Sequence, residues 1–598
     1  MTKSAMLDNF RDELAHSLLS AHIPIPASRY LQYGLIVTLL AGFLYIFSAL
    51  LLSLFGIEAN ILPFLPYGVT VLLGFIAAVG LLLLAICLYP LLLAQGRRTR
   101  IEMDLPHAVT YMQALSSTLT LYGIFRSVYE AGDLYGEVSK ECGLIVRDVE
   151  VFGLDLLTAM RNVQEVTPSA NFKELINDLG LVYRSGGNLT NFFNSKSETY
   201  RELARQEQES LLQILEMVAE VYVTAFVAGP IAIIIMLVAQ NLAGQSQLSG
   251  IMPLMYLGLP LGAIALIFIL YVLLPPDNLD VARREIRESE FGVEILDTDA
   301  GDKPDPTFLK SLESRKRWLR FLEVLRHPGT FFISDYTVGA VIGTGLLVAL
   351  FLSYRFGSFG SIFPSYTLEV FLCLAVIAAV IPVMIAYELR RRYVMAVEKQ
   401  LPEFLAEIAD MRDIGMTLQG AIFMISNTRM GVLSHEIKVA AEELRFGSSV
   451  SSALVRMEER IGLVSVKRAI SLLVRASEVT DYIREILTIA INDLQHYIKM
   501  KAKRLNVSFV YLAVIYLSFG IYLYSAYQLN VAFISSFSAY DVAFDISANV
   551  REMLHVGIIL GFFSGIMAGQ LSSNSILAGF KHVCLMLAAT VILFVYII

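Results

Sequence analysis

Charged residues are scarce in this chain. They make up 17% of its 598 residues, whereas hydrophobic residues make up 56%. A soluble protein carries about a quarter charged residues. The deficit is concentrated in apolar runs of about twenty residues, which is the helix length that crosses the hydrocarbon core of a bilayer. The composition therefore excludes an ordinary soluble protein and predicts a membrane protein.

Motifs for catalysis and metal binding are also missing from the sequence. There is no GxxxxGK[ST] phosphate-binding loop and no HExxH zinc motif, the eight histidines are scattered singly, and the four cysteines form no CxxC pair. These absences argue against an NTPase, a metalloenzyme and a disulfide framework. We therefore predict no catalytic residue, no metal site and no cofactor, and we do not expect an enzyme.

The apolar runs that could cross a bilayer number about nine. They cover residues 34–54, 69–94, 221–242, 255–274, 335–354, 368–387, 507–529, 554–571 and 576–597. No alternating strand pattern interrupts the polar blocks between them, and their apolar residues recur at helical spacing. The predicted fold class is an all-α integral membrane protein with about nine transmembrane helices and two cytoplasmic helical-bundle domains.

The basic residues indicate the topology, because Lys and Arg concentrate in short loops on the cytoplasmic side. Segments 56–66 and 241–252 contain neither residue. Three basic clusters lie at the opposite ends of the spans, and they consist of Arg97, Arg98 and Arg100, of Arg390, Arg391 and Arg392, and of Lys499, Lys501, Lys503 and Arg504. We predict a cytoplasmic N-terminus, cytoplasmic polar blocks and, with an odd number of spans, an external C-terminus.

The same layout occurs twice along the chain, which predicts a parallel tandem repeat. Three landmarks recur in order at an offset of about 296 residues. They pair Leu105-Pro106 with Leu401-Pro402, residues 121–125 with 418–423, and Phe152-Gly153 with Phe446-Gly447. Such an ordered series between matching apolar hairpins indicates an internal repeat.

Local signals predict helix boundaries within the first polar block. Pro106 should open a helix, and Gly123 should end the apolar pattern so that a second helix begins at Ile124. Residues 185–188, with two glycines, should form a tight turn before a long helix over 192–215. The second copy has no glycine at 476–479, so its geometry should differ there. Residues 486–505 form the corresponding long helix.

The predicted organisation has eight segments. They are a cytoplasmic N-terminal amphipathic segment (1–32), a first transmembrane hairpin (33–94), a first helical domain (95–220), two further spans (221–274), a charged linker (275–331), a second hairpin (332–388), a second helical domain (389–505) and the last spans (506–598). Segment 1–32 is expected at the inner membrane surface or as a solvated tail. Trp318 in the linker is expected at that surface or against the first bundle.

The landmarks above carry a family resemblance. The chain resembles the type II secretion F domain, in the tandem form found in archaeal platform proteins. The features that carry this resemblance are the helical block with Leu-Pro, the Gly and Phe residues that separate its helices, and the long helices with basic ends that return to the membrane. The resemblance implies a non-catalytic inner-membrane platform beneath a growing type IV pilus-like filament or archaellum. It also implies two partners: a hexameric cytoplasmic secretion ATPase and the pilin-like filament subunits. The second domain lacks the Gly-Gly turn, so the two domains need not have the same function.

Two sets of residues are candidate interaction sites. The ten basic residues of the three clusters could be present only because Lys and Arg concentrate at the cytoplasmic ends of spans, or they could bind an acidic surface of the ATPase. The second set, Gly557, Gly561, Gly565 and Gly569, repeats at intervals of four and forms a smooth helix face. That face could pack within the chain, form the seam of a homodimer, or guide the apolar helix of a pilin. Nucleic acid is not an expected partner, because the net charge is −8.

Other functions remain open at this point. A transporter or permease subunit driven by a separate ATPase is the alternative for a parallel-repeat membrane protein, and a membrane receptor scaffold is a third hypothesis. Ionisable residues at mid-membrane depth would favour transport, but the apolar runs contain essentially none there. The expected mechanism of a platform is mechanical, with the long helices 192–215 and 486–505 carrying motion into the membrane.

Overall fold

The computed structural model describes residues 11, 14–54, 67–242, 252–273, 315, 337–356, 367–479, 483–533 and 546–597. Within these ranges the regular structure is helical and contains no strand. The chain divides into unit 1, Met1–Leu203 with Arg475–Asp481, and unit 2, Ala204–Val474 with Tyr482–Ile598. The predicted linker 275–331, including Trp318, lies outside the described residues except for Arg315.

The described part of unit 1 contains a short helical stretch at residues 14–20, followed by six helices and the first part of a seventh. They are α1 (Ala27–Leu54), α2 (Tyr67–Leu115), α3 (Leu121–Glu130), α4 (Gly132–Glu150), α5 (Leu156–Val166), α6 (Ala170–Arg184) and α7 (Leu189–Val223). Helices α1 and α2 pack as a hairpin, and the distal part of α2 packs against α3, α4 and α6. The core of the helical bundle contains Phe125, Phe172 and Phe193, all without solvent exposure.

The described part of unit 2 contains the rest of α7 and eleven further helices, one of which, ending at Val479, has its last residues in unit 1. They are α8 (Gly229–Leu242), α9 (Met252–Leu273), α10 (Thr337–Arg355), α11 (Thr367–Asp413), α12 (Leu418–Ser426), α13 (Leu433–Arg445), α14 (Val450–Ile461), α15 (Val464–Val479), α16 (Ile483–Tyr527), α17 (Ile546–Ser573) and α18 (Ile576–Ile592). Turns of π-helix follow α7, α16 and α18, at Thr224–Ala228, Gln528–Phe533 and Leu593–Ile597. One of its apolar clusters includes Tyr222, Phe519 and Tyr522.

Six helices in the described part of the chain are long and apolar enough to cross a membrane. They are Ala27–Phe47, Leu189–Ile233, Leu368–Asp413, Ile483–Val531, Val550–Ser573 and Ile576–Ile597, with shorter apolar helices at Met255–Tyr271 and Gly339–Arg355. Each overlaps a predicted span, and the remaining predicted span, 69–94, lies within α2. The all-α membrane class is confirmed, whereas the number nine and the orientation stay predictions.

The prediction that Pro106 opens a helix is wrong. Pro106 lies inside α2, and Pro402 lies inside α11, so each apolar span continues into the following bundle without a break. A proline inside a helix removes one hydrogen bond and disfavours the preceding turn. Burial outweighs this local cost, because Leu105 and Leu401 beside the prolines are almost fully buried.

The repeat is visible in the caps of equivalent helices. Thr120 caps α3 by accepting the N–H of Gly123, and Thr417 caps α12 by accepting the N–H of Gly420. The second helix of the first block therefore begins at Leu121. The prediction of a start at Ile124 is wrong because Gly123 belongs to the first helical turn, where its N–H serves the cap.

The turn between the last two helices of each bundle differs between the copies, as predicted. In the first copy Gly186 has a φ of +67° and reverses the chain between α6 and α7. The left-handed conformation there favours glycine. In the second copy α15 continues through Ala476 to Val479, so the chain is helical where the first copy turns.

The N-terminal segment packs against protein. Leu14 and Leu18 are almost fully buried, and the Ser20 hydroxyl donates to the carbonyl of Val166 at the end of α5. These contacts contradict the expectation of a solvated tail for residues 14–20, whereas a position at the inner membrane surface stays a prediction. Leu14 and Leu18 form a small apolar cluster with Ala27 at the start of α1.

The caps lead to a direct test. Thr417→Ala should lower the free energy of unfolding by about 1 kcal/mol, because the first turn of α12 loses its side-chain acceptor. The matched control is Thr488→Ala, since the exposed Thr488 hydroxyl donates only to the Arg484 carbonyl within α16. Denaturant titration of the two variants should separate them, and equal midpoints would remove the capping role of Thr417.

Candidate functional site

The first basic cluster is divided between the inside and the surface of unit 1. Arg97 is 8% exposed, whereas Arg98 and Arg100 are exposed. Arg97 Nε donates to Glu137 Oε2 at 2.9 Å, and its Nη2 donates to Glu141 Oε1 at 2.7 Å. Arg97 is therefore a structural residue that ties α2 to α4. Its burial removes it from the candidates for docking a partner.

The N-terminal segment shares this buried ion cluster. Arg97 also donates a hydrogen bond to the Ser20 carbonyl, and His22 lies 3.9 Å from Glu141. Burial would raise the pKa of Glu137, but hydrogen bonds from Lys140 and Arg97 outweigh it and hold that pKa below its usual value. Burial raises the pKa of Glu141 against the opposing charge of Arg97. The guanidinium thus stabilises two carboxylates that differ in solvation.

The second and third clusters meet in unit 2. Arg391 from α11, with Lys501 and Arg504 from α16, line one open pocket together with Ser572 and Ser573. Lys501 also binds Glu398 at 2.9 Å. One residue of the second cluster and two of the third, which lie far apart in the sequence, therefore share one pocket, and the spacing of their charges alone does not predict it.

The other members of these two clusters lie elsewhere on unit 2. Arg390 is 5% exposed and lies over the ring of Tyr393. Arg392 and Lys499 are exposed. Arg392 lies 3.6 Å from Glu388, and Lys503 binds Glu209 at 2.8 Å. Only the exposed members are accessible to a large partner.

The two long helices that were predicted to carry motion contact each other in unit 2. Lys503 of α16 binds Glu209 of α7, Gln208 donates to the Met500 carbonyl at 3.2 Å, and Tyr511 donates to the Leu212 carbonyl at 3.3 Å. In each of these contacts, the residue numbers of the two partners differ by nearly the offset between the two copies of the repeat. Equivalent parts of α7 and α16 therefore lie side by side where both helices enter their apolar segments.

The glycine face of α17 packs within the chain. A Cβ on Gly569 would lie 2.0 Å from the Gly579 nitrogen of α18, and one on Gly565 would lie 2.4 Å from the Val583 nitrogen. At Gly557 and Gly561 the nearest atoms are side chains at 3.1 and 3.4 Å. Backbone contact of this kind is typical of small-residue helix seams. Because α18 occupies the face, we do not propose it as a seam between chains.

No group of three or more His, Cys, Asp or Glu side chains in the described ranges is arranged to hold a metal ion. Sequence reasoning missed Ser572 and Ser573 in the pocket, since nothing in the sequence links a helix-hairpin turn to basic residues much earlier in the chain. It also missed Glu137 and Glu141, whose spacing of four on one helix was a usable signal.

Comparison with known families identifies the two bundles. The family described as type II secretion system protein F matches residues 112–237 and again residues 404–525. The chain carries two type II secretion protein F domains. Each match begins in the distal part of a long helix, α2 or α11, and ends in the apolar segment that follows α7 or lies within α16. The domain therefore comprises a helical bundle and the span that leaves it.

A relative of similar length exists in an archaeon. An uncharacterized protein of Methanocaldococcus jannaschii is 25% identical over 526 residues, which are 86% of this chain and 82% of that protein. No solved structure is significantly similar to the chain. The two matched segments and the apolar helices indicate a multi-pass membrane protein whose helical bundles are similar to type II secretion system protein F.

Proposed function

We propose that this protein is a non-catalytic inner-membrane platform that couples a hexameric cytoplasmic secretion ATPase to the assembly of a type IV pilus-like filament, either an archaeal pilus or an archaellum. The observation that carries the proposal is the continuity of α16, which runs from Ile483 in the second F domain to Tyr527 in an apolar segment. A continuous helix transmits displacement along its axis, because every turn is hydrogen-bonded to the next.

The same logic applies to the first F domain. Helix α7 begins within the bundle at Leu189 and continues as helix through the π-turn Thr224–Ala228 into α8. The contacts of α7 with α16 support a mechanism in which force on either domain moves both helices together. The π-turn is a candidate bending point, since such turns often occur at functional positions in helices.

The proposed orientation has both bundles and the N-terminus in the cytoplasm and the C-terminus outside. The basic residues at the bundle ends of the spans support it through the positive-inside rule. In this orientation the ATPase acts on the bundles, and pilin-like subunits leave the bilayer beside the spans. A homodimer is compatible with this mechanism. The scarcity of charge in the spans gives no support to a transporter or permease.

The docking part of the proposal is tested by charge reversal at exposed positions. Arg392→Glu combined with Lys499→Glu should weaken association with the ATPase about tenfold, because like charges then face an acidic partner. The readouts are pull-down of the secretion ATPase from the host and filament assembly in the host. Arg390 and Arg97 are left intact, since both are buried and their reversal would test folding.

The matched control for this experiment is Arg355→Glu. Arg355 is also exposed, but it lies at the far end of α10, which the proposed orientation places outside the cell. This variant should bind the ATPase as the unmodified protein does. Wild-type association and wild-type filaments in the double variant would remove Arg392 and Lys499 from the docking surface.

A further inference from the structure

The basic pocket of unit 2 is built from three membrane-proximal elements. Arg391 and Met395 come from α11, Lys501, Arg504 and Leu505 come from α16, and Ser572 and Ser573 come from the end of α17. Arg504 precedes the apolar run of α16, which begins at Val507. The pocket therefore lies at the polar end of the spans, beside the turn that joins α17 to α18.

The charge of this pocket is positive. Arg391, Lys501 and Arg504 contribute three positive charges, and Glu398, bound to Lys501, contributes one negative charge. The C-terminal end of α17, where backbone carbonyls are exposed, carries a partial negative charge of about one half, which repels an anion. A net charge of about +2 outweighs that partial charge at similar distance.

Arg504 lines the pocket and has an unused hydrogen-bond donor. Its Nη2 atom is shielded from solvent and makes no hydrogen bond to any described residue. A buried guanidinium nitrogen without a partner is costly, because its desolvation is not compensated. An anion in the pocket would supply the missing acceptor. The Ser572 hydroxyl, which lies 3.4 Å from the Gly569 carbonyl, can turn toward such a ligand.

We propose that this pocket binds a phosphate group. The phosphate belongs to an anionic phospholipid headgroup or to a soluble phosphate. Arginine binds phosphate oxygens through paired N–H donors, and lysine adds a point charge. Basic pockets between spanning helices at the cytoplasmic membrane surface are suited to lipid headgroups. Met395 and Leu505 form an apolar wall against which the glycerol and upper acyl chain of a lipid would pack.

The proposal assigns Arg391, Lys501 and Arg504 a role separate from partner docking. A phosphate held between α11, α16 and the α17–α18 turn links the entry points of two long helices to the C-terminal hairpin. The ligand would therefore stabilise the junction through which α16 carries motion. This role does not depend on the identity of the filament or of the ATPase.

The test uses the full-length protein in nanodiscs of phosphatidylcholine with increasing phosphatidylglycerol. Native mass spectrometry counts the phosphatidylglycerol molecules retained after release. The unmodified protein should retain the lipid at a saturable site, and Arg391→Gln combined with Arg504→Gln should weaken retention at least about tenfold, since two charge-assisted hydrogen bonds are lost. Arg504→Gln alone is the second variant should the double variant fail to give monodisperse protein.

Two control variants test whether binding is specific to this pocket, and a second probe tests whether the phosphate group comes from a lipid or from solution. Arg355→Gln removes the same charge at the other end of a span and should leave retention unchanged, whereas Arg504→Lys keeps the charge and should retain most of the binding. Inorganic phosphate at millimolar concentration is the second probe. If it displaces the lipid, or if it stabilises the protein against unfolding when no lipid is bound, the source of the phosphate group is soluble phosphate. Equal retention by unmodified and Arg504→Gln protein, equal loss in Arg355→Gln, or no saturable binding of either probe would overturn the proposal.

Discussion

Replacing Arg97 with methionine should destabilise unit 1 by about 3–5 kcal/mol, because it leaves two carboxylates without their buried partner. Methionine fills a similar volume, so the loss reports the charge and not a cavity. The neighbouring Arg98→Met should cost less than about 1 kcal/mol. Arg98 is exposed and binds Glu102 one helical turn away at 2.9 Å. The two variants remove the same charge from adjacent positions.

The pH dependence of the Arg97→Met variant gives a second readout. Without the guanidinium, burial raises the pKa of Glu141 further, so the folded variant binds a proton that the unfolded chain has released. Its stability should fall as pH rises above about 4.3, the ordinary value for glutamate, and through the raised pKa. The stability difference from the unmodified protein should thus be smaller at acidic pH. Circular dichroism during denaturant titration at several pH values measures it, and an equal loss of stability in the Arg98→Met control would contradict the buried ion cluster.

The second large effect is expected at the glycine face of α17. Gly569→Ala should destabilise the α17–α18 hairpin by about 3 kcal/mol, at the upper end of overpacking costs. The added Cβ would lie 2.0 Å from the nitrogen and 2.1 Å from the Cα of Gly579. These atoms belong to the backbone of α18, so the two helices must separate to admit one methyl group.

Gly561→Ala is the matched control on the same face. Its Cβ would lie 3.4 Å from the Phe519 ring, which is ordinary contact, and alanine favours a helix over glycine by about 1 kcal/mol. This variant should be as stable as the unmodified protein or slightly more stable. Unfolding by sodium dodecyl sulfate in mixed micelles compares the two. If Gly569→Ala tolerates the detergent as Gly561→Ala does, close backbone contact between α17 and α18 is not what stabilises the hairpin.

Periodic and local features of the sequence predicted much of this fold. The apolar runs predicted the spans, and the ordered landmarks predicted the tandem repeat that the two F domains now explain. The turn at 185–188 was predicted from its glycines, and the different geometry of the second copy was predicted from the lack of glycine at 476–479. Such features depend on residues within a few turns of one another, so they are accessible without knowledge of the fold.

The candidate sites were less accessible to sequence reasoning. The clusters of basic residues were recognised, but adjacent members have opposite environments, since Arg97 is buried and Arg98 is exposed. Neighbouring residues on a helix point about 100° apart, so one cluster serves both the core and the surface. Pro106 was placed at a helix start because local preference favours it, whereas burial of the surrounding turns keeps α2 continuous.

The sequence by itself determined the helical class, the apolar segments and the duplication, because each follows from composition and spacing along the chain. Only the tertiary structure decided that Arg391 and Arg504 share a pocket with Ser573, that α18 fills the glycine face, and that α7 and α16 lie side by side. These arrangements depend on which helices pack together. Packing is set by complementary surfaces from distant parts of the chain, and local spacing does not encode it.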